Sequence, residues 1–428
     1  MANFLITTPG QVTRGTTEAD TIVFGGAGVS AATVIGNTGA DTISINSTAT
    51  FQSTDFMMNG GHDVLAIDFS TGGHTVASSN FFGGGKGNDV ISLVSADGAN
   101  VFVAKGGSGR DTITLDGING SQISIGGNAG HDSITYSGDA TKSYVGGGKG
   151  NDTIDLDGTF AGSIYGGLLN DRIAAESIGT ATVFNGDSGN DVITVSGVAG
   201  TGSFVNGNAG NDTITVHGVA SQNTVAGGNN ADVIVVSALA TGAMVAGGKG
   251  HDDITVTAGA IGSTIHGGLG ADTIDFANAT QSNLKIGAGD STLGTMDVVS
   301  GGFAPVVNTV TAAAASAALV TIGSAGTTGG ISTILEISNG VIATGSQALS
   351  GSLTAAVAAV DKLSELSKGG NTVGFNKGGD AYLFIQGGTV GSTADDIVVK
   401  FASTAVAQVR VSSGTNVLMS DVVAAPRA

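Results

Sequence analysis

Residues 147–154 read GGKGNDTI, a glycine-rich loop that ends in an aspartate and is followed by a β-branched segment. Counting outward from Asp152, an aspartate recurs at intervals of 19 to 26 residues along the first 272 residues, and Ile or Leu stands two residues after each one. A fixed period of this length is typical of a solenoid, in which each repeat forms one coil. The recurring aspartates are Asp20, Asp41, Asp63, Asp89, Asp111, Asp132, Asp152, Asp171, Asp191, Asp212, Asp232, Asp252 and Asp272.

Each loop is flanked by two short apolar segments. After the aspartate, apolar residues alternate with Thr, Ser and Val, as at Ile113 and Leu115, and another apolar residue stands seven positions before it, as at Val145. Alternation with a period of two and many β-branched residues indicates strands with one buried face. One such repeat cannot bury that face alone, whereas stacked repeats can. The sequence therefore predicts an all-β fold, a parallel β-solenoid of about 13 coils with about 20 residues per coil, which at ~4.8 Å per coil would form a rod roughly 60 Å long.

The loops have the composition of a calcium site. Glycine permits a tight turn whose carbonyl groups point inward, and Ca²⁺ takes six to eight oxygens at about 2.3–2.6 Å. One loop supplies too few oxygens, but two loops on neighbouring coils supply carbonyls and one aspartate each. Without a cation, the aspartates would stack like charges one coil apart, which is unfavourable. Five loops share the full pattern: GGKGND (84–89), GGSGRD (106–111), GGKGND (147–152), GGKGHD (247–252) and GGLGAD (267–272).

These five loops, each followed by Ile at the second position after the aspartate, resemble the G-G-x-G-x-D-x-U-x repeat of RTX (hemolysin-type calcium-binding) proteins. The family's unit has nine residues and a calcium loop on both edges of its β-roll. Here the unit has about 20 residues, and the opposite turn carries no aspartate in register. The resemblance thus implies several Ca²⁺ ions in one column, with these metal ligands: Asp41, Asp63, Asp89, Asp111, Asp132, Asp152, Asp171, Asp191, Asp212, Asp232, Asp252 and Asp272.

An alternative interpretation is that the aspartates only cap the turns of an ordinary solenoid without metal. The first loop, GTTEAD (15–20), departs from the pattern, and the loop ending at Asp63 is irregular. Aspartates outside the loop position are expected to lie on the solvated surface: Asp68, Asp97, Asp116, Asp155, Asp157 and Asp275.

The composition excludes several classes of protein. The 428 residues include 74 Gly but no Cys, so no disulfide can stabilise the fold, and 41% hydrophobic residues argue against disorder. The net charge of −19 disfavours nucleic acid and anionic membranes as partners. The N-terminal residues lack the pattern of a secretory signal peptide, and no apolar stretch is long enough to insert into a membrane.

The period fades after Asp297. We expect a solenoid domain over residues 1–299, an Ala/Ser/Gly-rich bridging region over 300–352, and a C-terminal cap over 353–428 with a helix from Leu353 to Ser367, capped by Ser352 and ended by Gly369. Strands are predicted at 381–387, 396–402 and 407–413. The segment NTVGFNKGGDAYLFIQGG…DDIVVKF (371–401) resembles the C-terminal domain of RTX proteins exported by type I secretion, in which the signal is C-terminal and uncleaved; the resemblance covers roughly residues 360–428.

The prediction of function starts from the share of the chain that the solenoid and the C-terminal tail account for. Solenoid and tail leave no room for a separate catalytic domain, and neither HExxH nor GxSxG occurs. Acidic, Cys-free chains of this composition resemble bacterial surface-layer proteins, which implies a secreted, extracellular protein that assembles with itself, uses the type I secretion machinery and contacts cell-surface polysaccharide. A solitary adhesin or matrix protein is the alternative. We do not expect an enzyme: a polysaccharide-modifying solenoid would need acids and bases clustered on one outer face, and His62, His131 and His251 are loop spacers. An ice-binding face is disfavoured because its threonine ranks are interrupted, as at Arg172.

Overall fold

The structure is a computed structural model. It describes these residues: 2–8, 10–24, 29–45, 50–68, 75–76, 80–94, 102–198, 200–258, 263–276, 283–286, 290–292, 294–301, 309–312, 318–319, 322–328, 331–338, 341–342, 352–361, 371–387, 396–402, 404–411 and 416–424.

The chain folds as a parallel β-solenoid. It is 61% strand and 3% helix, with about 12 turns spaced about 20 residues apart, which confirms the predicted fold class. By its contacts the chain divides into two compact units, Met1–His217 and Gly218–Ala428. The predicted boundaries at residues 299 and 352 stay predictions.

Unit 1 consists of parallel strands. They are β1 (Asn3–Ile6), β2 (Val12–Arg14), β3 (Thr21–Phe24), β4 (Val29–Ser30), β5 (Thr33–Ile35), β6 (Thr42–Ile45), β7 (Thr50–Gln52), β8 (Asp55–Met57), β9 (Val64–Asp68), β10 (Thr75–Val76), β11 (Asn80–Lys86), β12 (Val90–Val94), β13 (Phe102–Ser108), β14 (Thr112–Asp116), β15 (Gly120–Ser121), β16 (Ile123–Ala129), β17 (Ser133–Ser137), β18 (Ala140–Lys149), β19 (Thr153–Leu168), β20 (Arg172–Ile178), β21 (Val183–Ser188), β22 (Val192–Val195), β23 (Phe204–Ala209) and β24 (Thr213–Val216).

The core of unit 1 is two columns of apolar side chains in register. The residue two positions after each loop aspartate faces its counterpart in the next coil, so that Ile113 pairs with Ile134 and Ile134 with Ile154. The residue seven positions before the aspartate does the same, as Ile125 with Val145. These side chains are fully buried, as the period-two pattern predicts. Stacking like residues on like residues is what lets each coil bury the face that it cannot cover alone.

The coils that lead to Asp41, Asp63 and Asp89 also form a short second sheet. Strand β7 pairs in parallel with β4 and with β10, apart from the main sheet. The 26-residue interval from Asp63 to Asp89 is therefore not a break in the solenoid: β9 still pairs with β12 in register. Extra residues in this coil leave the stacking of its neighbours unchanged.

Unit 2 begins with the same solenoid pattern and continues into a mixed region. Its elements are β25 (Thr224–Asn229), β26 (Val233–Val236), β27 (Met244–Lys249), β28 (Asp253–Val256), β29 (Thr264–Leu269), β30 (Thr273–Phe276), β31 (Asn283–Ile286), β32 (Val298–Gly301), β33 (Thr309–Ala312), β34 (Ala318–Leu319), β35 (Ile322–Thr328), β36 (Ile331–Ser338), β37 (Val341–Ile342), α1 (Leu353–Asp361), β38 (Asn371–Lys377), β39 (Asp380–Ile385), β40 (Ile397–Phe401), β41 (Thr404–Val411) and β42 (Asn416–Ala424).

The end of the solenoid in unit 2 is covered by the C-terminal strands. Strand β32 pairs with β30 on one side and with β40 on the other. The N–H of Lys400 donates to the carbonyl of Asp297 (3.1 Å), and that of Ala402 donates to the carbonyl of Val299 (2.8 Å). Strand β40 also closes an antiparallel sheet with β39 and β38. An edge that would otherwise expose unpaired main-chain groups is thereby occupied.

The predicted C-terminal elements are present with different limits. Helix α1 begins at Leu353 as predicted, and Ser352 Oγ accepts a hydrogen bond from the Ala355 N–H (3.1 Å). Its last described residue is Asp361, and the predicted continuation to Ser367 and the end at Gly369 lie outside the described residues. The three predicted strands correspond to β39, β40 and β41. The region expected to be only bridging contains β33 to β37; the alternation in ISTILEIS (331–338) marks β36. None of the helical residues described forms a segment with the length and apolarity needed to cross a membrane.

Loop glycines are required where coils approach most closely. At Gly150 the backbone has φ +133°, and a Cβ would lie 1.6 Å from the carbonyl oxygen of Gly130 in the preceding coil. Gly202, in the opposite turn, has φ +71° and nothing within 4 Å of a Cβ. The first glycine serves both backbone conformation and stacking, and the second serves conformation alone.

We therefore expect Gly150→Ala to lower the melting temperature of the folded chain considerably more than Gly202→Ala. The second substitution carries only the cost of a left-handed alanine, roughly 1–2 kcal/mol, whereas the first also forces two coils apart. Thermal unfolding followed by circular dichroism measures both. Equal decreases in melting temperature for the two variants would show that close stacking of the coils does not require glycine at position 150.

Candidate metal site

The loop aspartates lie inside the turns and not on their surface. Each of the thirteen aspartates of the repeat is between 0% and 3% exposed, whereas Asp116, Asp155 and Asp157 are exposed as predicted. Asp68 is also exposed, Asp275 is partly buried, and Asp97 lies outside the described residues. Every aspartate at the loop position is thus buried, and most of the other aspartates named from the sequence are solvated.

One oxygen of each carboxylate is held by the main chain of the neighbouring coil. In unit 1, the Asp132 N–H donates to Asp152 Oδ1 (2.8 Å), and the Asp152 N–H donates to Asp171 Oδ1 (2.8 Å). In unit 2, the Asp252 N–H donates to Asp272 Oδ1 (2.9 Å). We call this column of aspartates, linked N–H to Oδ1 from coil to coil, the aspartate ladder. The same bond is made within unit 1 to the Oδ1 of Asp41, Asp63, Asp89, Asp111, Asp132, Asp191 and Asp212.

The second carboxylate oxygen, Oδ2, is buried without a hydrogen-bond donor. Water cannot reach it, and a buried acceptor without a partner is costly. The repetition of this arrangement in coil after coil argues against an isolated defect. In the part of the chain that the structure describes, it holds for the Oδ2 atoms of Asp41, Asp63, Asp89, Asp111, Asp132, Asp152, Asp171, Asp191, Asp252 and Asp272.

This oxygen points into a space that a glycine leaves open. A Cβ on Gly147 would lie 2.5 Å from Asp152 Oδ2 and 2.6 Å from the carbonyl oxygen of Gly166 in the next coil. Two acceptor oxygens, one from each of two coils, therefore converge in front of the same glycine. The same pair of oxygens lies within 2.8 Å of the equivalent point at Gly84, Gly127, Gly166, Gly186, Gly227 and Gly247.

The electrostatics of the ladder match this geometry. Burial raises the pKa of these carboxyl groups, the N–H of the preceding aspartate lowers it, and the carboxylates of adjacent coils raise it again. The result is a pKa of about 6 for Asp152, Asp191 and Asp252, about 7 for Asp63 and Asp111, and about 8 for Asp171. Stacked carboxylates of this kind require a proton or a cation.

Asp20 differs from the rest of the ladder. Its Oδ1 accepts the Ala2 N–H (2.8 Å), and its Oδ2 accepts the Thr16 hydroxyl (2.9 Å) and the Thr16 N–H. Burial raises its pKa, but these hydrogen bonds outweigh it and leave the pKa below the usual value. The eroded first loop thus supplies donors from the protein itself, in line with its omission from the predicted ligands.

The ladder extends one step further than the sequence predicts. The Asp272 N–H donates to Asp297 Oδ1 (3.1 Å), and burial raises the pKa of Asp297 to about 8. Asp297 has no glycine loop before it and follows after 25 residues, so the loop motif could not find it. The available signal was Val299, which is buried two positions after it, as in every other coil.

A second ladder that the sequence analysis missed runs along the residues just before the aspartates. Asn151 Oδ1 accepts the Asn170 N–H (3.1 Å), and His131 Nδ1 accepts the Asn151 N–H (2.8 Å). His62 and His251 accept the N–H of Asn88 and Ala271 in the same way (2.8 and 3.0 Å). The three loop histidines therefore each accept a main-chain hydrogen bond from the next coil, at the position just before the aspartate. Their interpretation as loop spacers stays a prediction.

Side chains alone do not form a metal cluster here. Among the described residues, no group of three or more His, Cys, Asp or Glu side chains could hold a metal ion. A cation at the ladder would take one carboxylate oxygen from a coil and most of its other ligands from carbonyl groups. Ca²⁺ accepts such a ligand set, and softer metals, which prefer imidazole and thiolate, do not.

In comparisons with known proteins, no family model matches the chain, and no curated protein or solved structure matches it.

Without metal ions, we expect the melting temperature to rise as the pH falls from 8.5 to 6.5. The ladder carboxyls titrate near 7 to 8 in the folded chain (Asp63, Asp111, Asp171) against a reference value of 3.8. In this window the folded state binds more protons than the unfolded state, so stability is gained as pH falls through the folded pKa values and lost as pH rises through them. Scanning calorimetry in excess chelator measures the shift. A melting temperature that falls toward pH 6.5 would contradict the buried ladder.

Proposed function

We propose that this chain is a secreted, calcium-dependent structural protein of the RTX type, which assembles with itself into a surface layer or an extracellular filament. The observation that carries the proposal is the aspartate ladder, with its repeated, buried Oδ2 atoms that lack donors. Two further supports come from the sequence: the glycine pattern of the five GGxGxD loops, and the resemblance of residues 371–401 to C-terminal domains used in type I secretion.

The residues that would hold calcium are the predicted loop aspartates from Asp41 to Asp272. Each ion would receive an Oδ2 from one coil and a carbonyl oxygen from the next, as at Asp152 and Gly166. The charge of the ion would replace the protons that the raised pKa values otherwise demand. Because each ion would join two coils, binding and folding would be coupled.

Coupling to calcium would also place folding outside the cell. Sites of extracellular modules commonly have dissociation constants near 10⁻⁴–10⁻³ M, so they would be empty in the cytosol and filled after export. A chain that stays unfolded until it meets calcium suits a secretion route that passes unfolded polypeptide. Calcium-dependent folding and export by type I secretion would therefore support each other.

Self-assembly is supported by an edge of unit 1. Among the described strands, β1 pairs only with β3, and β2 only with β5. Leu5 on β1 is 60% exposed and Val12 on β2 is 59% exposed. An apolar parallel edge with free main-chain groups favours pairing with another chain. A solitary adhesin or matrix protein remains the alternative, and it would need this edge to be covered by something else.

A polysaccharide-modifying enzyme is the less favoured alternative. Its acids would lie in the shallow depression on the outer face of unit 1, which is lined in part by Asp116, Asp155, Asp157 and Glu176. Asp116 and Glu176 are engaged there by Ser137 Oγ and the Gly158 N–H. No histidine, lysine or arginine lines this depression, so only its carboxyl groups could act as acid or base there.

The proposal is tested by calcium dependence of fold and assembly. We expect EGTA to lower the melting temperature of the full chain so far that, at physiological temperature, it loses most of its β signal in circular dichroism. Millimolar calcium should restore this signal, and the folded chain should then form filaments or a lattice in electron microscopy. Magnesium at the same concentration is the control and should not restore the fold. Unchanged β structure after chelation would contradict the calcium site, and a folded protein that stays monomeric at high concentration would favour the adhesin.

Asp152→Asn distinguishes a metal ligand from a turn cap. Asparagine keeps Oδ1 as acceptor for the Asp132 N–H but removes the buried charge. We expect the variant to melt at a higher temperature than the parent in chelator at pH 8, and to gain less from calcium. Asp20→Asn is the matched control, with little change in its response to calcium, because Asp20 is satisfied by protein donors. If the aspartates only cap turns, Asp152→Asn will gain as much from calcium as the parent.

A further inference from the structure

The outer face of the pre-loop strands in unit 1 carries a row of aromatic side chains. Phe81 lies on β11, Tyr144 on β18 and Tyr165 on β19, with Lys105 on β13 between the first and the second. All four side chains are partly or largely exposed, and Tyr144 is 41% exposed. We call these four residues the aromatic platform. From the coil of Asp89 to the coil of Asp171 it spans four coil spacings, about 19 Å at ~4.8 Å per coil.

Glycines let the platform lie flat on the sheet. A Cβ on Gly146 would be 2.5 Å from the Tyr144 hydroxyl oxygen, and one on Gly83 would be 2.6 Å from Phe81 Cε1. A Cβ on Gly126 would be 2.7 Å from Lys105 Nζ. Each long side chain therefore folds down over a position without a side chain. The Tyr144 and Tyr165 rings lie 5.7 Å apart and 33° from parallel, so they offer nearly continuous ring faces to solvent.

The solenoid itself does not require these aromatics. In unit 2, the positions equivalent to Phe81 and Tyr144 hold Thr224, Met244 and Thr264, on strands that pair in the same register. Those coils stack without an outer ring. Exposed aromatic groups on a rigid sheet, absent from equivalent coils, indicate a contact surface.

Lys105 gives the platform a charge of its own. Its ammonium lies 5.3 Å from the centre of the Tyr144 ring, and burial lowers its pKa. Within the described residues, no carboxylate forms an ion pair with it; Asp187, near Tyr144, instead accepts a hydrogen bond from Asn208 Nδ2 (3.1 Å). In a chain of net charge −19, an unpaired ammonium among aromatic rings is a site for an anionic group.

We propose that the aromatic platform binds an acidic polysaccharide. The apolar faces of its sugar rings would stack on Phe81, Tyr144 and Tyr165, and a uronate carboxylate would pair with the Lys105 ammonium. The length of the platform suits several consecutive sugars and exceeds a single small molecule. A polyphosphate chain has no apolar ring face and could not stack on the aromatic side chains of the platform. The inference goes beyond the proposed function and does not depend on it, because strands and not loops build the platform.

The test uses the calcium-loaded full chain and isothermal titration with hexasaccharides of glucuronate-containing hyaluronate, of galacturonate and of mannuronate. We expect saturable binding of at least one, weakened at least tenfold when its carboxylates are methyl esters. The double substitution Tyr144→Ala, Tyr165→Ala should weaken binding at least tenfold, and Tyr144→Phe should retain it. Lys105→Met should remove the difference between acid and ester.

Met244→Ala with Thr264→Ala, at equivalent positions of unit 2, is the matched control and should bind as the parent does. Binding that survives the double tyrosine substitution, or no binding to any of the three acids, overturns the proposal. If the double substitution instead abolishes association between copies of the chain, the platform is an interface of the assembly. If the chain folds without calcium, the proposed function is contradicted. The saccharide titration can still be carried out on that folded chain, and its result tests the platform separately.

Discussion

The arrangement on which the rest depends is the main-chain hold on each loop aspartate. Because the N–H of one aspartate fixes Oδ1 of the next, every carboxylate is turned the same way, and its second oxygen is carried into the interior of the turn. A side chain that could rotate would bring that oxygen to water. In this structure the hydrogen bond to Oδ1 prevents that rotation. The buried Oδ2 atoms therefore require a proton or a cation as a direct result of the way the coils stack.

The glycines follow from the same constraint. At Gly147 the carboxylate and the carbonyl of the next coil share the space that a Cβ would fill, and at Gly150 the carbonyl of the preceding coil presses against the backbone. The two glycines do different work although they stand three residues apart. The first leaves room for oxygen, and the second lets the coils approach. Both are read in the sequence as one motif, GGxGxD.

Much of the fold could be predicted because its determinants repeat. A buried Ile or Leu two residues after each aspartate, and an apolar residue seven before most of them, are local signals that recur with one period. They predicted the fold class, the coil spacing and the buried set of aspartates; the structure has about 12 turns where about 13 were predicted. Asp297 was missed because its coil keeps the core residue but lacks the glycine loop. The Asn and His ladder was missed because two residue types occupy the same position. Only the hydrogen bond that each side chain accepts from the main chain of the next coil shows that they are equivalent.

What does not repeat could not be read from the sequence. Phe81, Lys105, Tyr144 and Tyr165 belong to different coils, and their proximity depends on a register that places residues about 20 positions apart side by side. Which of the two carboxylate oxygens lacks a donor is likewise set by the coil above and below. The period predicted where the aspartates are, and three-dimensional stacking decides what each of their atoms meets.

The ladder also has terminators. At its beginning in unit 1, Asp20 is satisfied by Ala2 and Thr16. At its end in unit 2, the Asp297 N–H donates to Ser291 Oγ (2.8 Å), whose hydroxyl donates to the Val398 carbonyl (2.6 Å). A neutral hydroxyl thus takes the place where another carboxylate would stand. Since the rungs between Asp20 and Asp297 make the same N–H to Oδ1 bond wherever it is described, whole coils could be duplicated or deleted during evolution while these two rungs stay intact. The length of such a solenoid would then change during evolution by whole coils, one turn at a time.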